Sequence, residues 1–280
     1  FISYYYPDLR FETINHAAYH AGIYVPLIEH IERDCKVKTL IVTLNLRTLG
    51  QAVTHSPLET SMQQEKVLFS KYPPLVKRLF LTLNNFDNRS EIDRDKIKWQ
   101  QWTNDVLKSD NDSISFPNPT IRSWCEQVKF PNENGIEDMP KRALADHYIK
   151  AYAFQVDESN PRIKDLDAIA QHCKNEGIDL IYNLLAENVE YADSLVGENL
   201  VWLMRANRDY LVQRYNTSGT VVVDNLETVE GYHFTDQNWT TEHYDQIGRQ
   251  QIARNAALAL KEFYPGKYRK RKIWPLPKKH

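Results

Sequence analysis

Val37-Lys38-Thr39-Leu40-Ile41-Val42-Thr43-Leu44 is a β-branched, nearly continuous apolar run. Such a run reads as a strand buried on both faces, the habit of a parallel sheet covered by helices. Just before it, Val25-Pro26-Leu27-Ile28-Glu29-His30-Ile31-Glu32 places apolar residues at helical intervals, and Pro26 suits a first helical turn. A helix therefore feeds a strand.

The pattern repeats downstream. Residues 163–176 carry Ile163, Leu166, Ile169 and Ala170 on one helical face, and Gly177 follows as a C-cap. Residues 178–185 then read as a second strand. A helix over 196–215 leads to a short strand over 220–224. A last helix is expected from near His243 to near Phe263, with Ile252, Ala256 and Leu260 stepping by four. Strands alternating with helices of this length indicate an α/β fold with a mainly parallel sheet.

The middle differs. From about Pro73 to Pro140 the chain is rich in Asn, Asp, Lys and Trp, and 84–88 and 109–113 read as loops. This stretch is read as a helical insertion or cap. The expected organisation is residues 1–72 and 149–265 as two parts of one α/β domain, 73–148 as the insertion, and 266–280 as a basic tail.

Composition narrows the classes. At 280 residues, 42% hydrophobic and 26% charged, the chain has the make-up of a globular protein with a substantial core. Nothing approaches the apolar run of a membrane span. The tail holds Lys267, Arg269, Lys270, Arg271, Lys272, Lys278 and Lys279, so the net charge of −2 hides a remainder of −9. That acidic body argues against a dedicated nucleic-acid partner. Cys35, Cys125 and Cys173 fit no metal-ligand spacing and no disulfide framework. His16 and His20 stand at i and i+4, but no third ligand is evident, so neither a metal nor any other cofactor is expected.

The segment Asp236-Gln237-Asn238-Trp239-Thr240-Thr241-Glu242-His243-Tyr244-Asp245-Gln246-Ile247-Gly248 carries the chemistry. A histidine here sits at the carboxyl edge of the sheet, where open α/β folds bind ligands. Asn45 ends the first strand, and Gly22 stands at the mouth of the first helix, where backbone can approach a ligand.

His243, the Gly five residues on and the Ala-rich run 251–260 resemble the last signature block of the SGNH (GDSL-type) hydrolase/acyltransferase superfamily. Asn45 and Gly22 match that family's oxyanion-hole positions by residue and place. The resemblance covers residues 1–70 and 150–265 and implies a three-layer α/β/α, flavodoxin-like fold. It implies a serine esterase or O-acyltransferase with His243 as general base and Asn45 and Gly22 (or Ala17) at the oxyanion.

The family's Asp three residues before the His is Thr240 here, so Asp236 or Glu242 takes its place, Asp236 having the better geometry; a backbone carbonyl orienting the ring is the alternative. Arg47 is expected to bind a substrate anion or pair with an acid, and Trp239 to contact substrate. Gly-Asp-Ser is absent and Ser3 lacks its context, so the nucleophile is expected upstream of Phe1 or lost. By analogy the substrate is a small-molecule or polysaccharide acyl ester and the location extracytoplasmic. The rival is a glycan-binding protein on the same scaffold. Trp99, Trp102 and Trp124 would either stack on sugar rings or form the insertion's own core.

Overall fold

The computed structural model describes residues 1–14, 20–54, 90–108 and 115–270, with isolated positions between 66 and 83. Asn15, His16, Ala17, the 84–88 and 109–113 loops and the tail from Arg271 lie wholly or almost wholly outside the described residues.

Three strands, β1 (Thr39–Leu44), β2 (Asp179–Leu184) and β3 (Thr220–Asp224), form a parallel sheet in the order β1-β2-β3. In register, Ile41 pairs with Ile181, Thr43 with Asn183 and Leu44 with Leu184. The α/β class expected from the alternating pattern is what the chain adopts. One detail is corrected. β1 is an edge of this sheet, only partly buried and with Thr43 exposed, whereas β2 has every residue after Asp179 buried. The both-faces-buried pattern thus belongs to the central strand, because a neighbour on each side leaves it no edge in water.

Helices lie against both faces of the sheet. The short α1 (Ile2–Tyr5) and the last long helix, Gln246–Ala259, share an apolar cluster with Ile181, Val221 and Val223. The opposite side chains, Val42, Leu44, Leu180, Tyr182 and Leu184, belong to the main core. That core includes Ile28 of α2 (Ala21–Ile31), with α3 (Gln51–Thr54) and α4 (Glu91–Trp102) next along the chain. It takes in Trp124 of α5 (Ile121–Gln127), six residues of α6 (Met139–Tyr152) and Ile163, Leu166 and Ile169 of α7 (Pro161–Glu176). After β2 come α8 (Val189–Val196) and α9 (Glu198–Tyr215), and Gln246–Ala259 is α10.

Trp102 and Trp124 are buried in this core, which they share with the sheet rather than forming one of the insertion's own, and neither is placed to stack on a sugar. Buried residues of 102–152 and buried residues of the sheet form one continuous apolar cluster.

Local chemistry sets the boundaries. Asn160 accepts from the Arg162 N–H ahead of Pro161 at the start of α7, and Gly177 closes it at φ +67°, a conformation that disfavours any side chain. The helix read over 196–215 is α9, and Gly197 at φ +102° separates it from α8 before it. Helix α2 starts at Ala21, not near Val25, which leaves Pro26 inside it. His20 causes the earlier start, because its Nδ1 accepts the Gly22 N–H as an N-cap.

Candidate functional site

The last helix does not begin near His243. Asp245 is its N-cap and accepts from the N–H groups of Ile247 and Gly248. His243 lies just before, in the neck of a short hairpin. The Thr235 N–H donates to the His243 carbonyl at 2.8 Å and the Asp245 N–H to the His233 carbonyl at 2.9 Å. Residues 236–242 form the tip. Phe234 and Tyr244 bridge the neck edge-to-face, ring centres 5.2 Å apart. The Tyr244 hydroxyl donates to the Ala186 carbonyl just beyond β2 at 2.6 Å, which fixes the hairpin to the carboxyl edge of the sheet.

This neck brings together two residues seven apart. His243 Nδ1 lies 2.5 Å from Asp236 Oδ2, which also accepts from the Thr241 hydroxyl. The His243 bond, then the Thr241 bond, holds the Asp236 carboxyl below its ordinary range. An ionised Asp236 accepts from Nδ1–H, which leaves Nε2 as the unprotonated, basic nitrogen of a neutral imidazole. The His243 side chain is 68% exposed, so Nε2 is open to an incoming group. Among the described residues no hydroxyl or thiol is hydrogen-bonded to it.

The other acid at the site, Glu242, has a different partner. Arg47 Nε lies 2.8 Å from Glu242 Oε1, and Arg47 Nη2 donates to Oε2 at 3.1 Å. Of the two fates open to Arg47 the structure shows the acid pair, and Glu242 is committed to the guanidinium rather than to the imidazole.

Asn45 follows β1 directly, and its Oδ1 accepts the Arg47 N–H at the start of a 3₁₀ turn over Leu46–Leu49. With Oδ1 engaged, Nδ2 is the end of the amide left to donate. Asn45 also lines a pocket of about 40 Å³ with His20, Ala21, Thr43, Thr48 and Arg162. That volume suits an oxygen and its hydrogen-bond donors rather than a whole ester. Gly22 is next to this pocket in the chain, but its N–H is occupied by His20 Nδ1 at 3.1 Å. A Cβ there would come within 2.5 Å of Arg162 Nη1, so a side chain would displace that guanidinium. His20 is thereby a capping residue, and no group of three or more metal-ligating side chains occurs among the described residues.

The segments near residues 22, 45 and 243 therefore meet at one edge of the sheet: the first two across the pocket, the last two through Arg47 and Glu242. Trp239, half exposed in the hairpin tip, packs its ring against His147 of α6 with centroids 3.8 Å apart. Burial, reinforced by Lys150, lowers the His147 pKa.

Sequence reasoning missed two groups. Glu187 is fully buried and accepts from the Tyr152 hydroxyl at 2.6 Å. Burial and then nearby Glu242 push its pKa well up, against the Tyr152 hydroxyl, Arg47 and the Leu46 N–H. A glutamate immediately after the apolar run 184–186 was the available signal. The other is a second His–Asp pair, His233 Nδ1 to Asp245 Oδ2 at 2.8 Å, in which the carboxylate also caps α10.

No family model, curated protein or solved structure matches the chain.

Proposed function

We propose that the chain carries the histidine half of an SGNH-type serine esterase or O-acyltransferase, acting on an acylated carbohydrate or envelope polymer on a three-layer α/β/α scaffold. The single observation behind this is the Asp236–His243 bond at the carboxyl edge of the sheet, in reach of a segment that ends in Asn45. Asp236 holds the imidazole in the tautomer with Nε2 free, which is the requirement for a general base. On this reading a serine N-terminal to Phe1 attacks the acyl carbon. As its Oγ–C bond forms, its proton passes to His243 Nε2. The carbonyl oxygen takes up the negative charge, and Asn45 Nδ2 stabilises it. His243 then returns the proton to the departing alcohol as the ester C–O bond breaks, and water or a sugar hydroxyl resolves the acyl-enzyme by the reverse sequence. Gly22 joins as a second oxyanion donor only on release of its N–H from His20.

The other reading, a glycan-binding protein on the same scaffold, draws on the lack of any hydroxyl bonded to His243 Nε2 among the described residues. Two observations separate the readings. A Gly-Asp-Ser after an apolar run in the coding sequence upstream of Phe1 favours the esterase. Hydrolysis of p-nitrophenyl acetate by the protein carrying that segment should fall about 100-fold or more in His243→Ala and by about 10³–10⁴ in Asp236→Asn, which forces the wrong tautomer. An unchanged rate in His243→Ala removes the esterase reading.

A further inference from the structure

With Trp102 and Trp124 buried, a saccharide needs another aromatic surface, and one lies beside the His243 hairpin. Asn188, Glu190, Tyr191, Gly231, Tyr232 and Gln237 line an open depression of about 520 Å³, within the size range of small-ligand sites. We propose that this depression is a binding subsite for a neutral saccharide, resting on the esterase or transferase reading as its sugar-side subsite.

The ring of Tyr232 is 73% exposed yet held from one side. Glu230, beside it, raises the pKa of its hydroxyl. Its ring lies 4.2 Å, centroid to centroid, from that of His233, which Asp245 fixes in turn. An exposed aromatic ring that is already ordered loses little entropy when a ligand stacks on it.

The polar wall is ordered in the same way. Asn188 Oδ1 accepts the Tyr191 N–H at 3.1 Å, Glu190 Oε2 accepts the Gly231 N–H at 3.2 Å, and Gln237 Nε2 donates to the carbonyls of Gly231 and Phe234. Each side chain is pinned at one end, and Asn188, Glu190 and Gln237 line the same space as the Tyr232 ring. A Cβ at Gly231 would come within 2.9 Å of Glu190 Oε2, so a side chain there would displace that carboxylate.

Mixed donors and acceptors around an aromatic face match a pyranose, whose C–H surface is apolar and whose hydroxyls both give and take hydrogen bonds. Glu190 lines the space, Glu230 adjoins it, and no lining residue is Lys or Arg. Phosphorylated and uronic acid chains are therefore disfavoured. Gln237 directly follows Asp236, so a sugar bound here sits beside the Asp236–His243 pair.

The test is ligand-observed NMR with cellohexaose, chitohexaose, mannohexaose and hexagalacturonate, run beside p-nitrophenyl acetate hydrolysis on the same preparation, the protein that carries the segment upstream of Phe1. At least one neutral oligosaccharide should bind. Tyr232→Ala should weaken that binding about tenfold or more, whereas Tyr232→Phe, which keeps the ring, should stay within a few-fold. Hexagalacturonate should bind more weakly than the best neutral chain. The subsite is refuted if no neutral oligosaccharide binds, if Tyr232→Ala binds like the wild type, or if hexagalacturonate binds as tightly. Hydrolysis without saccharide binding sinks the subsite and leaves the esterase reading. Tyr232-dependent binding without hydrolysis keeps the subsite and sinks the esterase reading.

Discussion

Arg47 and Glu242, 195 residues apart in the chain, meet in a two-pronged ion pair with little solvent on either side chain. Each sits next to a residue of the proposed chemistry: Arg47 two positions after Asn45, Glu242 one before His243. Their contact therefore sets the spacing between the end of β1 and the tip of the hairpin. Burial opposes the charge on Arg47, but the carboxylates of Glu242 and Glu187 and the Tyr152 oxygen outweigh it and raise its pKa.

Removing the guanidinium leaves Glu242 buried without its counter-charge, so Arg47→Ala should lose stability on the order of 3 kcal/mol. Arg47→Lys keeps the charge but loses the planar fork that puts Nη2 on Oε2 and Nε against Oε1, so it should recover only part of that loss. Urea unfolding of the three proteins measures both effects. Equal midpoints for wild type and Arg47→Ala would show that the pair does not hold the two segments together.

Glu187 makes the molecule sensitive to rising pH. Its folded pKa lies above its unfolded value because burial, then Glu242, disfavours the anion. The folded protein thus keeps a proton that the unfolded chain releases above about pH 4.5. Its contribution to stability is full below that point and is lost as pH rises towards the folded pKa. Glu187→Gln removes the titration and can still accept from the Tyr152 hydroxyl. The melting temperatures of variant and wild type should therefore coincide near pH 4 and separate in favour of the variant towards pH 8. The limit is on the order of 1 kcal/mol per pH unit through the window. Parallel melting curves across the range would mean that Glu187 ionises at its ordinary value.

The regular elements were legible because their signals are local. Val221 and Val223 alternate with the sheet, Gly177 marks a helix end, and Ile163, Leu166 and Ile169 share a face. The start of α2 was not, because a histidine cap gives a weak composition signal and Pro26 points to a later beginning. At the site, a residue adjacent to His243 points elsewhere, which favours Asp236 as its partner, and the structure brings those two together. The hairpin responsible was invisible, since its arms are only three residues long and are fixed by Tyr244 reaching Ala186, 58 residues away. Nor does sequence spacing relate Arg47 to Glu242, because that contact exists only once β1 and β2 are paired.

Gly248 joins the two kinds of information. Five residues after His243, in the first turn of the last helix, it has no room for a side chain. A Cβ would stand 2.7 Å from that of Tyr244 and 3.0 Å from Val229 Cγ1. Tyr244 directly follows His243 and anchors the hairpin through Ala186, so pressure on it moves the imidazole as well as the core. Gly248→Ala should cost about 1–3 kcal/mol, the range for inserting a methyl group into a packed site. If the esterase reading is right, it should also lower kcat by more than the loss of folded protein explains, because Nε2 is displaced. Thermal melting gives the first quantity, and kcat per folded molecule, well below the melting temperature, gives the second. A variant that melts early but keeps wild-type kcat would show that Tyr244 yields without moving His243, and that the helix start and the imidazole are mechanically independent.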